Sequence, residues 1–125
     1  NISIDKLANE IASELAKYSQ EVVEKVNISS ERVGKVAVKR LKQTSPKRTK
    51  KYSKSWAMKT EQEAGQPHKR IVYARAPHYR LTHLLEYGHA KVGGGRVEGK
   101  PHIRPAEEEV IREFTAEVEE AIKNG

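Results

Sequence analysis

Cysteine is absent from this sequence, which excludes disulfide staples, thiolate metal sites and thiol nucleophiles. Large apolar side chains are scarce. Phe and Trp occur once each, and apolar residues make up 36% of the 125 positions against 33% charged, so the chain can enclose only a modest core. Part of its apolar surface is then expected to be buried against another subunit. No apolar run approaches the roughly 20 residues needed to span a bilayer, and the N-terminal stretch lacks the charged-then-apolar profile of a secretory signal. These absences lead to the expectation of a soluble, cytoplasmic chain with no membrane contact. No Pro/Gly/Ser-rich tract and no internal repeat divides the sequence, so one domain over residues 1–125 is expected.

Acid is also missing locally. From Arg32 to Thr60 there are eleven Lys and Arg and no Asp or Glu, within a chain of net charge +7. The balance runs −3 over residues 1–31, +11 over 32–60, +4 over 61–105 and −5 over 106–125. Such polarity has two readings: a basic face built for phosphate, or complementary ends that attract identical subunits around a ring.

What is present is mostly helical patterning. Ile4, Leu7, Ile11, Leu15, Tyr18, Val22 and Val26 recur every three or four positions, and Ser3 is a good N-cap, so an amphipathic helix is expected. The stripe resumes at Val33, Ala37 and Leu41 after Asn27-Ile28-Ser29-Ser30. Either two helices meet at Asn27 or one runs to about Lys42; the local competition of Asn and Ser for backbone hydrogen bonds favours a kink or break. Thr44-Ser45-Pro46 stops it.

Alternation in Tyr52–Met58, turn chemistry at Ala64-Gly65-Gln66-Pro67 and a return strand Arg70–Ala74 predict a β-hairpin from about Tyr52 to Ala74. Tyr79, Leu81, Leu84 and Leu85 before Gly88 suit a short helix with the glycine at its C-terminal cap. Lys91–Lys100, with Gly93-Gly94-Gly95, reads as a mobile loop. Pro105 opens a last helix striped by Val110, Phe114, Val118 and Ile122. The order predicts an α+β fold: a long N-terminal and a C-terminal helix packed on one face of a small antiparallel sheet.

Chemistry is thinly marked. His78 and His83 are five apart, not the four that places a zinc pair on one helix face, and no metal site or other cofactor is expected. Glu86, His83 and His89 include an acid and a base but come with no nucleophile, so catalysis is not expected; Glu86 reads as a surface or ion-paired residue near a helix end. Gly93-Gly94-Gly95-Arg96 lacks the Lys-Ser/Thr spacing of a phosphate-binding loop, and no small-molecule substrate is expected. The basic run Lys47, Arg48, Lys50, Lys51 and Lys54, interleaved with Tyr52 and Trp56, is the sharpest alternative. It combines phosphate-neutralising charge with flat rings, the mark of a nucleic-acid-binding module over residues 32–60, although both rings lie on one parity of the expected strand and suit packing inside it.

Three blocks carry a resemblance. They are Thr44-Ser45-Pro46-Lys47-Arg48-Thr49 leading to Tyr52 and Trp56; Tyr79-Arg80-Leu81-Thr82-His83-Leu84-Leu85-Glu86-Tyr87-Gly88-His89; and Gly94-Gly95-Arg96-Val97 through Gly99-Lys100-Pro101-His102-Ile103-Arg104-Pro105-Ala106. The chain resembles, from about residue 4 to 122, the tail-component proteins of siphophages and related prophages, the gene-product-ten-like family. Lys50 departs from the pattern, since the family commonly has Gly there, and this bears on the turn entering the hairpin.

The resemblance implies a non-enzymatic, ring-forming subunit at the head–tail interface of a virion, assembled in the host cytoplasm, with the phage connector and tail proteins as partners. On that footing Lys47, Arg48, Lys50, Lys51 and Lys54 would touch a neighbouring subunit or DNA, with the acidic helical ends meeting the basic hairpin of the next subunit. Gly93, Gly94, Gly95, Arg96 and Lys100 would form a loop ordered on assembly, and the Leu81–Gly88 helix would supply the core contact that pins the hairpin. The signature positions Trp56, Tyr79, Leu84, Glu86, Gly88, His89, Pro101, Arg104 and Pro105 admit an assembly role or local packing.

Overall fold

The computed structural model describes residues 20–47, 50–63 and 66–124. The stripe from Ile4 to Tyr18 with its Ser3 cap, the contact residue Arg48, and the turn residues Ala64 and Gly65 lie outside the described residues. In order, the elements are α1 (Gln20–Thr44), a single helical turn α2 (Lys51–Lys54), β1 (Trp56–Glu61), β2 (Lys69–Ala74), a 3-10 turn (His78–Leu81), α3 (Thr82–Tyr87), β3 (Gly88–Ala90), β4 (Arg96–Glu98) and α4 (Ile103–Asn124). The α+β expectation holds, with two separate two-stranded antiparallel sheets.

The long helices α1 and α4 run antiparallel, Arg32 reaching Glu117 and Arg40 reaching Glu109. Their apolar stripes interlock. Val22, Val26, Val33, Ala37 and Leu41 from α1 share one buried cluster with Ala106, Val110, Phe114 and Val118 from α4. Each fully buried large side chain there is worth about 1.5–3 kcal/mol. Ala121 closes the α4 stripe as a buried residue, and Ile122 packs against the cluster half-buried.

The β1–β2 register pairs Trp56 with Ala74, Met58 with Val72 and Thr60 with Arg70. Strand alternation puts these six on one face, and β2 buries Arg70, Val72 and Ala74 while its other residues stay half-buried. That face packs against α1.

Helix α1 continues through Asn27 to Ser30 without the expected break. The polar groups expected to compete for the backbone are tied mostly to other elements, although Ser30 Oγ also donates to the Asn27 carbonyl at 3.1 Å. Asn27 Oδ1 accepts the His68 backbone N–H at 2.8 Å, Ser29 Oγ donates to Glu117 at 3.1 Å, and Ser30 Oγ accepts from Arg70 Nε at 3.0 Å. Arg70, buried under β2, also donates to the Asn27 carbonyl and to Thr60 Oγ1. One guanidinium thus rivets helix to sheet through three uncharged oxygens, with His68 Nδ1 3.3 Å from its Nη2, and its burial lowers its own pKa.

The hairpin begins at Trp56, not Tyr52. Residues Lys51 to Lys54 wind into one helical turn instead, entered through Lys50 at φ 64°, a left-handed conformation. The turn places Tyr52 and Trp56 edge to face, with ring centroids 5.9 Å apart. Both rings are buried, so their packing role holds, but helical spacing brings it about, not strand parity. Trp56 Nε1 donates to Ser45 Oγ at 2.9 Å, fastening the strand to the segment that ends α1.

The glycine segment is a hairpin as well. Gly88–Ala90 pairs with Arg96–Glu98, and the tip closes with the Lys91 N–H on the Gly95 carbonyl at 3.0 Å. The expected loop therefore shrinks to the tip around Gly93–Gly95. Helix α4 starts at Ile103, so Pro105 lies within its first turn, where a missing N–H breaks no ladder.

Candidate assembly interface

Glu86 is where the structure departs furthest from expectation. It is buried, not a surface residue, and its carboxylate accepts the backbone N–H groups of His102 (2.7 Å), Ile103 (2.8 Å) and Arg104 (3.0 Å). A side chain on one short helix thus caps the N-terminus of α4, whose first amides have no intrahelical acceptors. Burial works to raise the Glu86 pKa, but the three N–H groups and the adjacent His102 outweigh it and hold the carboxyl below its ordinary range.

His102 completes the joint. Its Nδ1 lies 2.7 Å from the Lys100 carbonyl and 3.0 Å from Glu86, and its Nε2 lies 2.7 Å from the Tyr52 hydroxyl. A carbonyl only accepts, so Nδ1 carries the proton and, in the neutral ring, Nε2 accepts from Tyr52. The phenol pKa is pushed up by burial and by the Glu86 carboxylate. Tyr52, His102 and Glu86 are each buried with their polar atoms partnered. Three sequence blocks, around Trp56, Glu86 and His102, converge on one buried joint.

Around it lie two exposed features. The first is apolar. In the 3-10 turn and α3, Leu85 alone packs against the central cluster, whereas Tyr79, Leu81, Leu84 and Tyr87 are 44%, 39%, 42% and 59% exposed. The core contact expected of this helix is therefore narrow, and most of its apolar side chains face outward. Ile111 of α4, 45% exposed, lines an open recess with Tyr87, Ile103, Arg104, Glu107 and Glu108. Arg104 pairs with Glu108 at the surface. His89 and Pro101 are exposed. Val92 at the β3–β4 tip is fully exposed, and a side chain added at Gly93, Gly94 or Gly95 would meet nothing within 4 Å. Arg96 donates to the Tyr87 carbonyl at 2.6 Å, which ties β4 back to α3, while Lys100 is exposed and its N–H bonds the Leu85 carbonyl.

The second feature is basic. Lys51 and Lys54 line a recess with Ser55, Arg75, Ala76 and His78. Lys50 stands exposed beside it in sequence, and Lys47 turns back onto the Gln43 carbonyl. Sequence reasoning missed Arg75 and His78, which lie over twenty positions from the lysines; a second acid-free stretch, residues 64–85, was the available signal.

Among the described residues, no group of three or more His, Asp or Glu is placed to hold a metal ion. No described helix is long and apolar enough to cross a membrane.

Residues 9–88 match the model of the family described as "Bacteriophage HK97-gp10, putative tail-component". The chain belongs to that family. The match takes in the first signature block and the second as far as Gly88, which supply Tyr52, Trp56 and Glu86, and stops before His89 and the third block, which supplies His102. As a phage tail component this protein has a structural role in the virion and works against other virion proteins. No curated protein and no solved structure matches the chain.

Proposed function

We propose that this HK97-gp10-like chain is a structural, non-catalytic subunit of the head–tail connector or tail-completion ring, built in the host cytoplasm from copies of itself. The observation that supports this reading is the outward-facing set Tyr79, Leu81, Leu84 and Tyr87. Four large apolar side chains within nine residues, in a chain so lean in apolar residues, are costly to leave in water, and a neighbouring copy removes that cost. The β1–β2 sheet adds to the case. Among the described residues β1 and β2 pair only with each other, and a two-stranded sheet is stabilised by a further strand or a covering subunit.

Charge refines the picture. Glu109 and Glu117 of α4 pair with Arg40 and Arg32 of the same chain, so only part of the acidic C-terminal helix is left for a neighbour. Glu107 and Glu108 rim the apolar recess at Tyr87 and Ile111, which gives that contact a polar edge and a register.

Native mass spectrometry and light scattering of the protein alone and with its connector and tail partners test the reading. Higher-order species are expected, and the double substitution Leu84→Lys with Tyr87→Lys reduces them at unchanged far-UV circular dichroism. A protein that stays monomeric under every one of these conditions overturns it.

A further inference from the structure

The geometry points to a nucleic-acid backbone site in the recess formed by Lys51, Lys54, Arg75 and His78, which shares no lining residue with the apolar face proposed for self-assembly although the 3-10 turn contributes to both. Two acid-free stretches of the sequence, residues 32–60 and 64–85, are folded against each other here. The α2 turn packs on the 3-10 turn, so cationic side chains far apart in the chain open onto one space of about 490 Å³. No carboxylate lines that space, and among the described residues none forms an ion pair with Lys51, Lys54 or Arg75. The ion-paired cations among the described residues, Lys25, Arg32, Lys35, Arg40 and Arg104, all lie on α1 and α4, and none of them lines the recess.

Arg75 is preset for the task. Its Nε donates to the Ser55 carbonyl at 3.3 Å and its Nη2 to the Lys54 carbonyl at 3.1 Å. Two uncharged oxygens therefore fix the plane of the guanidinium without cancelling its charge, and the remaining N–H groups keep their capacity for a phosphate oxygen. Lys51 and Lys54 supply mobile point charges on the neighbouring turn, and His78 supplies a ring N–H. A protein partner fits this lining poorly, because protein interfaces are depleted in Lys at their centre and enriched in large apolar groups. Apart from Ala76 the recess is polar or charged, as nucleic-acid interfaces are.

Fluorescence anisotropy with the full chain and a labelled 20-base-pair duplex, titrated at several salt concentrations, tests the site. Lys51→Gln with Lys54→Gln is expected to weaken binding about tenfold or more at low salt and to flatten the plot of log K against log salt by about 0.9 per phosphate contact removed. Arg75→Gln does the same while thermal melting stays cooperative; if that variant fails to fold, the lysine pair carries the test, since neither lysine side chain makes a hydrogen bond within the described chain. The charge-matched control is Lys91→Gln with Lys123→Gln, on the β3–β4 tip and the end of α4, which leaves affinity within twofold of the parent. Equal losses in the control and recess variants would overturn the proposal, as would displacement of the duplex by polyglutamate as effective as by unlabelled DNA. Because binding is read on the subunit itself, failure here leaves the ring reading untouched, and failure of the ring reading leaves this one standing.

Discussion

A single carboxylate illustrates how much one residue can hold. Glu86 occupies the positive end of α4 and accepts three backbone N–H groups. Glu86→Gln keeps the shape but has one acceptor oxygen and brings an NH2 toward donors, so it is expected to cost roughly 2–4 kcal/mol in urea denaturation. The pH dependence follows from the lowered pKa. A carboxyl whose folded pKa lies below its unfolded value binds its proton more readily when unfolded. Its contribution is complete above the unfolded pKa, near 4.5, and is lost as pH falls through the folded value. Stability measured from pH 6 downward therefore falls below pH 5 in the parent and more shallowly in Glu86→Gln; parallel curves would remove Glu86 from that role. Lys50 makes the opposite point. It holds φ 64°, and a side chain in that region costs about 1 kcal/mol relative to glycine. Lys50→Gly is expected to raise the melting temperature by a few degrees in calorimetry.

At the scale of elements, the small β3–β4 hairpin depends on two glycines meeting backbone to backbone. A Cβ on Gly99 would lie 2.5 Å from the Glu86 carbonyl oxygen and 2.7 Å from the Gly88 nitrogen, while Gly88 itself turns at φ 80° to end α3. Gly99→Ala is expected to cost roughly 2 kcal/mol. Hydrogen exchange locates the damage: amides of β3 and β4 lose protection while those of α1 and α4 keep it. Uniform loss across the chain would show that the hairpin is not a separable unit. Sequence periodicity found the Val22–Leu41 stripe of α1 and the α4 stripe, because each repeats an apolar residue against one continuous partner; the helix ends before Pro46 and at Gly88 were legible from the backbone preferences of proline and glycine. It misread Tyr52–Lys54 and Arg96–Glu98, where three or four residues are too few for a period to declare itself and a tertiary contact decides.

Across the whole molecule, apolar residues are divided between a buried seam and an exposed face. The α1–α4 seam takes the regular stripes, leaving Tyr79, Leu81, Leu84 and Tyr87 outside it. The charges divide likewise. Pairing of Arg32 and Arg40 with α4 glutamates takes up part of the sequence polarity inside the fold, and Lys51, Lys54 and Arg75, unpaired among the described residues, line one recess. The sequence by itself determined the composition limits, the long helices, the α+β class and the family likeness, since these rest on local periodicity and residue type. Only the tertiary structure decided that Glu86 caps α4, that Arg70 ties β2 to α1 at Asn27 and Ser30, and that Arg75 joins the lysines of α2. Each of those links two segments distant in the chain, and hydrogen bonds between such segments leave no period in either one.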